Sequence, residues 1–337
     1  MKLVLTPFLL AVVVLCSIPV WGKSAPRQVE HIRLSGQVYL RLADWAAGRE
    51  LDVRWVKRDE TVQLNGRSAR LMLEVDSREA QFNGVEVWLS FPVVQRGGAC
   101  YVSRLDAETT LYPLLSPPGN RAGVRIKNVC LDPGHGGKDP GYCVGPNQEK
   151  QYALLLAQEL RQCLARAGFK VSLTRTSDKF VDLPDRPEVA RQQAADLFVS
   201  VHFNAAEASR STVRGAQVFC LTPAGASSTN ARGEGGGAGW CPGNRNNERN
   251  LFLAYEVQSA LTRKLGVEDH GVRRARFAVL QDAVMPAILI EAGFMSHPVE
   301  GRKIFTAAYR HELAQAIAEG ILAYQRRIEP RQSKQNL

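Results

Sequence analysis

Nine residues, Val129 to Gly137, read Val-Cys-Leu-Asp-Pro-Gly-His-Gly-Gly and constrain this chain more than any other stretch. An apolar start followed by Pro-Gly marks a short buried strand that ends in a tight turn. The turn presents one histidine, His135, between glycines that let the backbone close around something small. Two later stretches repeat the arrangement. Asp196 to His202 is an apolar run ending in a histidine, and Met285 to Glu291 is one ending in a glutamate. Open α/β sheets place their sites at the carboxyl edge of the strands. Three buried strands, each ending in a metal- or proton-handling side chain, therefore predict one site on that edge.

The segments between these strands fit the same class. From Glu149 to Ala167, Leu155, Leu156, Leu160 and Leu164 recur on a helical period, and Gly168 follows as a stop. Lys170 to Arg175 and Gly215 to Leu221 read as strands, as does Arg276 to Leu280. Pro187 to Ala194, Asn250 to Leu265 and Tyr309 to Tyr324 read as helices. Alternation of this kind predicts an α/β fold, a mostly parallel twisted sheet with helices on both faces. Upstream, Val38-Tyr-Leu, Leu51 to Val56, Thr61 to Leu64, Ala69 to Val75 and Val85 to Leu89 are short alternating runs. Asn65-Gly66 and Asn83-Gly84 punctuate them as hairpin turns, so a small β-rich α+β domain with one helix over Leu42 to Ala47 precedes the sheet. The expected organisation is a lead-in over 23–36, the small domain over 37–115, a Pro/Gly linker over 116–124, the second domain over 125–326 and a polar tail over 327–337.

Residues 1–22 stand apart. Met1-Lys2 precedes a nearly unbroken apolar run from Leu3 to Val20, closed by Trp21-Gly22, the pattern of a secretory signal peptide. The alternative is a retained membrane anchor. Export gives the net charge of +10 its meaning. Without a basic helix or aromatic-basic interleaving, the charge argues for an anionic cell surface as partner and against nucleic acid. The expected location is periplasmic or extracellular. Six cysteines follow the leader, none as CxxC, which argues against a structural zinc knuckle. In an oxidising compartment Cys220 and Cys241 could staple the Gly-, Ser- and Asn-rich loop between them, whereas Cys130 and Cys163 fall in core patterns. That loop, Thr222 to Asn247, is expected to be flexible and to flank the site.

The chemistry follows from the side chains. A catalytic zinc takes three protein ligands and keeps a position for water. His135 and His202 are natural ligands, and Glu149, at the start of its helix, can point back at the strand ends as the third. Two neutral imidazoles and one carboxylate leave a charge of about +1, which favours ionising a bound water. Glu291 is then the spare carboxylate, a base for the zinc-bound water and afterwards an acid toward the leaving group. His311-Glu312 lacks the second histidine of a zincin, and neither a Gly-x-Ser-x-Gly elbow nor a phosphate-binding loop occurs.

The ordered motifs Leu131-Asp-Pro-Gly-His-Gly-Gly-Lys-Asp-Pro-Gly, Glu149-Lys150, Leu173-Thr-Arg-Thr-Ser-Asp, Asp196 to Asn204 and Ile290-Glu-Ala-Gly-Phe-Met-Ser-His-Pro resemble those of the zinc-dependent N-acetylmuramoyl-L-alanine amidases of bacterial cell walls. The resemblance spans about Lys127 to Tyr324. It implies Zn2+ held by His135, Glu149 and His202, catalysis by Glu291, and peptidoglycan as substrate and partner. The bond at stake is the amide joining the lactyl group of N-acetylmuramic acid to L-alanine. It also implies Asn204 and Asn250 along the substrate groove and a structural salt bridge for Arg186, and it leaves open an activator protein. Where the family often carries glycine three residues before the ligand glutamate, this chain has Pro146, with Gly145 one position earlier. The alternatives are a zinc peptidase acting within the stem peptide and a non-catalytic wall-binding or regulatory protein on the same fold. The upstream domain, through Val38 to Ala46, Asn83 to Val87 and Tyr101 to Leu105, resembles the small domain at the amino terminus of copper amine oxidases. For it the resemblance suggests a wall-targeting role or a spacer, and no copper.

Overall fold

The structure, a computed structural model, describes residues 29–120, 124–206, 208–209, 211–229 and 239–329. The apolar leader, the end of the polar tail and the centre of the glycine-rich loop lie outside the described residues. Among the described residues no helix is long and apolar enough to cross a membrane.

One sheet organises the molecule. Its strands in chain order are β1 (Asp52–Lys57), β2 (Thr61–Asn65), β3 (Arg70–Glu74), β4 (Glu79–Phe82), β5 (Val85–Trp88), β6 (Asn128–Pro133), β7 (Lys170–Leu173), β8 (Leu197–Asn204), β9 (Ala216–Leu221), β10 (Asp269–Ala275) and β11 (Ala287–Phe294). They lie side by side as β7-β6-β8-β11-β9-β10-β5-β4-β3-β2-β1. β6 pairs in parallel with β7 and β8, β8 with β11, and β9 with β10, while β9 pairs antiparallel with β11, so β9 and β10 run opposite to the other four. The expected mostly parallel core is present. β1 to β5 form an antiparallel meander. A second, four-stranded sheet joins His31–Leu34, Gln37–Arg41, Ala99–Ser103 and Val94–Arg96, with α1 (Leu42–Ala47) beside it.

Helices cover both faces of the parallel part. On one side lie α2 (Glu149–Arg166), α4 (Asn247–Leu265) and α7 (Ala307–Ile328), the last preceded by the short α6 (Pro298–Ile304). Leu156, Leu160 and Leu164 of α2 fall on one helical stripe and are fully buried with Val257 of α4 and Ile317 and Ile321 of α7. On the other side are the short α3 (Asp185–Gln192) and α5 (Ala278–Gln281), which bury Ala190, Val279 and Leu280 against Phe198, Phe219 and Leu289. This second layer is thin, and it leaves the carboxyl ends of β6, β8 and β11 uncovered.

The meander is a continuation of this sheet. β10 pairs with β5 through Val272 and Val87, and the β5 backbone N–H of Glu86 donates to Asp269 Oδ2 at 2.9 Å. Arg274 of β10 is fully buried. Its guanidinium donates to Thr109 O at 2.9 Å, Thr110 Oγ1 at 3.0 Å and Leu221 O at 3.4 Å. Arg78 reaches the other way, to Ser227 O at 2.9 Å and Ser228 O at 3.3 Å. Phe82 and Tyr255 meet edge to face, with ring centroids 5.3 Å apart.

Several expectations are corrected. The strand expected over Arg276 to Leu280 lies over Asp269–Ala275 instead, and Ala278–Gln281 is a short helix. The polar side chains of His270, Arg273 and Arg274 obscure the strand because tertiary contacts cover them, Arg273 by packing over Trp88 at 4.2 Å. α7 continues to a buried Ile328, so part of the expected tail is helix. The lead-in contains the strand His31–Leu34. Cys220 and Cys241 are both free: Cys220 packs in the core on the α4 side and Cys241 against the cluster on the opposite side of the sheet. Thr222, Ala226 and Ser228 are buried, so the start of the glycine-rich loop is fixed, not flexible.

Candidate active site

The carboxyl ends of β6, β8 and β11 meet the amino end of α2. The turn after β6 carries His135 at φ +60, a conformation a non-glycine residue adopts only when its surroundings enforce it. Two buried arginines supply the enforcement. Arg175 donates to Pro133 O at 3.0 Å and Gly134 O at 2.6 Å, and Arg186 to Pro133 O at 3.0 Å and His135 O at 2.9 Å. Arg186 also pairs with the fully buried Asp132 at 2.8 Å, the structural salt bridge expected for it. Thr174 and Ser200 complete the Asp132 carboxylate, at 2.6 and 2.8 Å. The turn is therefore tied down from below and behind.

A short hairpin delivers Glu149. Cys143–Val144 pairs with Asn147–Gln148 around Gly145-Pro146, with Gly145 at φ +57, and the Glu149 N–H extends the ladder to Tyr142 O at 2.8 Å. Pro146 thus sits in the turn that sets the glutamate's register. Two glycines permit the close approach. A Cβ at Gly134 would stand 2.1 Å from the His202 ring, and one at Gly141 2.7 Å from both Glu149 Oε2 and His135 Cδ2.

His135, Glu149 and His202 converge, with one ligand atom of each within 4.8 Å of the others. His135 Nε2 and His202 Nδ1 lie 2.9 and 3.0 Å from Glu149 Oε1 and 3.2 Å from each other. Zinc bonds of about 2.1 Å imply ligand separations of about 3.4 Å in a tetrahedron, so this triangle is close to the size the ion requires. Three acceptors facing one another at these distances suit a divalent cation with nitrogen and oxygen preference. Burial pushes the Glu149 carboxyl up, but the hydrogen bonds and charges of His135 and His202 outweigh it and hold the group well below the usual carboxylate range.

Asp139, which sequence reasoning passed over, completes the set. Its Oδ2 is 2.8 Å from His135 Nδ1, and its Oδ1 is held by the Gly141 N–H at 3.0 Å. A carboxylate there keeps the proton on Nδ1 and turns the Nε2 lone pair toward Glu149 and His202. The signal available was the spacing of Asp139 four residues after His135 within the glycine turn.

Glu291 is the direct neighbour of His202 across the β8–β11 pair. It is half-buried at the floor of a cleft of about 400 Å³, yet its Oε2 is enclosed and has no partner among the described residues. Burial, and then the charge of Glu149, push its carboxyl well above the usual range. Asn204, Tyr142, Leu183 and Phe277 also line the cleft. Asn250 does not reach it. That side chain is buried in α4, accepting from the Ala287 N–H at 2.8 Å and donating to Gly243 O at 3.3 Å, so it braces the start of β11. His311 pairs with Glu159 on the helical face, away from the cleft.

Comparisons with known proteins identify the family. Residues 20–109 match the copper amine oxidase N-terminal domain. The amidase AmiC of Neisseria meningitidis serogroup B is 34% identical over 230 residues, covering 61% of this chain and 55% of that one. AmiA of Escherichia coli K12 is 32% identical over 232 residues, covering 62% of this chain and 79% of that one. The crystal structure of an N-acetylmuramoyl-L-alanine amidase from Clostridium difficile 630 is 32% identical and superposes with a TM-score of 0.50, over 60% of this chain and 97% of that one. Residues 129–323, more than half of the sequence, match the N-acetylmuramoyl-L-alanine amidase family, and the chain belongs to that family.

Proposed function

We propose that the chain is an exported, zinc-dependent peptidoglycan hydrolase that cleaves the amide between the lactyl group of N-acetylmuramic acid and the L-alanine of the stem peptide. The observation that carries this reading is the pairing of a complete three-donor set, His135, Glu149 and His202, with a separate carboxylate, Glu291, one strand away. Zinc bound there supplies a Lewis acid that lowers the pKa of a water to about 7.

The chain's own residues do the rest. His135, Glu149 and His202 hold the ion, and Asp139 fixes the tautomer of His135. Glu291 takes the proton of the attacking water as the new C–O bond forms. Its raised pKa suits a group that must accept a proton and then give it away. As the C–N bond breaks, Glu291 returns the proton to the departing alanine amine. Water enters, and a lactyl carboxylate and a free peptide leave. The Phe277 and Leu183 walls of the cleft limit bulk water around this exchange.

Two measurements test the metal assignment. His135→Ala and His202→Ala are expected to lose both bound zinc, read by elemental analysis, and solubilisation of dye-labelled sacculi. Either variant keeping full zinc occupancy would remove that histidine from the donor set. Asp139→Ala is expected to weaken zinc 10- to 100-fold in a competition against a fluorescent chelator, at unchanged thermal stability. Wild-type zinc affinity in this variant would leave Asp139 no role in orienting His135.

A further inference from the structure

The reversal of β9 and β10 relative to β11 places an unassigned residue at the site. β9 runs against β11, so its start, not its end, lies at the carboxyl edge where the cleft opens. Gln217 there is the direct partner of Glu291, which is itself the direct partner of His202. Residues directly opposite in a ladder point to the same face. The face is confirmed two residues on, where Phe219 packs with Leu289 and meets Phe277 edge to face at 5.1 Å. His202, Glu291 and Gln217 therefore form one row across three strands, spaced about 4.8 Å apart.

Gln217 is only 8% exposed. A carboxamide so nearly buried normally has hydrogen-bond partners. Among the described residues Gln217 has none, and its polar atoms are not sealed from solvent. It is a donor and an acceptor held beside the proton-transferring carboxylate, without a use among the described residues.

We propose that Gln217 is a substrate-contacting specificity residue that hydrogen-bonds a peptide group of the stem peptide next to the scissile amide. This rests on the amidase reading above. In that reading the scissile carbonyl lies toward the donor set and the leaving nitrogen toward Glu291. The next step along the row, away from His202, is then on the leaving side, which is peptide and not glycan. A neutral carboxamide matches a peptide N–H and C=O, and it adds no charge beside Glu291.

The test uses the full chain with Glu291→Gln, which blocks turnover, and calorimetric binding of two probes, N-acetylmuramoyl-L-alanyl-D-glutamate and free N-acetylmuramic acid. Adding Gln217→Leu is expected to weaken the muramoyl peptide about tenfold and leave the free sugar unchanged. In the active enzyme the same change is expected to raise KM about tenfold with kcat within twofold, which lost packing alone would not do. Gln217→Asn, which keeps the carboxamide but withdraws it, is expected to weaken binding in the same direction and guards against misfolding of the leucine variant. Unchanged peptide affinity, or equal loss for both probes, overturns the role of Gln217 while leaving the amidase reading in place. Failure of Glu291→Gln to bind the muramoyl peptide at all overturns both.

Discussion

Glu291→Ala is expected to lower the rate of amide cleavage on the order of 10³-fold while leaving one zinc per chain in place. The expectation comes from separation of roles. Glu291 lies outside the cluster that gathers His135, Glu149 and His202, so removing it should not open the metal site. Yet among the described residues it is the carboxylate beside them with an enclosed, unpartnered oxygen, and no other acidic side chain of those residues lines the cleft except Glu149. Glu291→Gln keeps the shape and removes the ability to accept a proton, so it should be as inactive as the alanine variant. Side-by-side elemental analysis and product release decide the matter. Activity retained in the glutamine variant would transfer the proton work elsewhere, and zinc lost from the alanine variant would make Glu291 a ligand.

Removing residues 1–124 is expected to abolish cooperative folding of the remainder. The amino-terminal region resembles a separable module in sequence, but β5 continues the sheet that carries the active site. Its removal would expose the edge of β10, an invitation to aggregation. It would also strip Thr109 and Thr110 from the buried Arg274 guanidinium. A buried charge deprived of its partners costs about 3 kcal/mol or more. The cleaner probe is Arg274→Ala in the whole chain, expected to lower the stability measured by urea unfolding by about 3 kcal/mol. A shortened chain that is soluble, folded and fully active would show that the two parts are independent.

What the sequence disclosed and what it withheld divide along physical lines. His135, His202 and Glu291 were legible because each interrupts a buried apolar run, where an ionisable side chain needs a reason to be present. Glu149 was legible as an acid at a helix start facing two histidines. A salt bridge was expected for Arg186, but its partner Asp132, and the backbone carbonyls that Arg175 and Arg186 hold, appear only once β6, β7 and α3 are assembled. Asn250 was placed along the groove by the resemblance to the amidase motifs alone, yet here both ends of its amide are used on buried backbone. β10 was hidden because its arginines look like a surface until the meander covers them. Gln217 was hidden because nothing in a sequence announces that β9, and β10 with it, run opposite to the other strands of the core.

The most direct measurement is mass analysis of the soluble products from purified peptidoglycan incubated with the protein, with and without a zinc chelator. The account predicts stem peptides with a free L-alanine amino terminus and glycan chains with intact lactyl carboxylates, both absent when zinc is removed and restored when it is returned. Products cut within the stem peptide, or glycan-linked peptides left whole by a zinc-loaded protein, would contradict it.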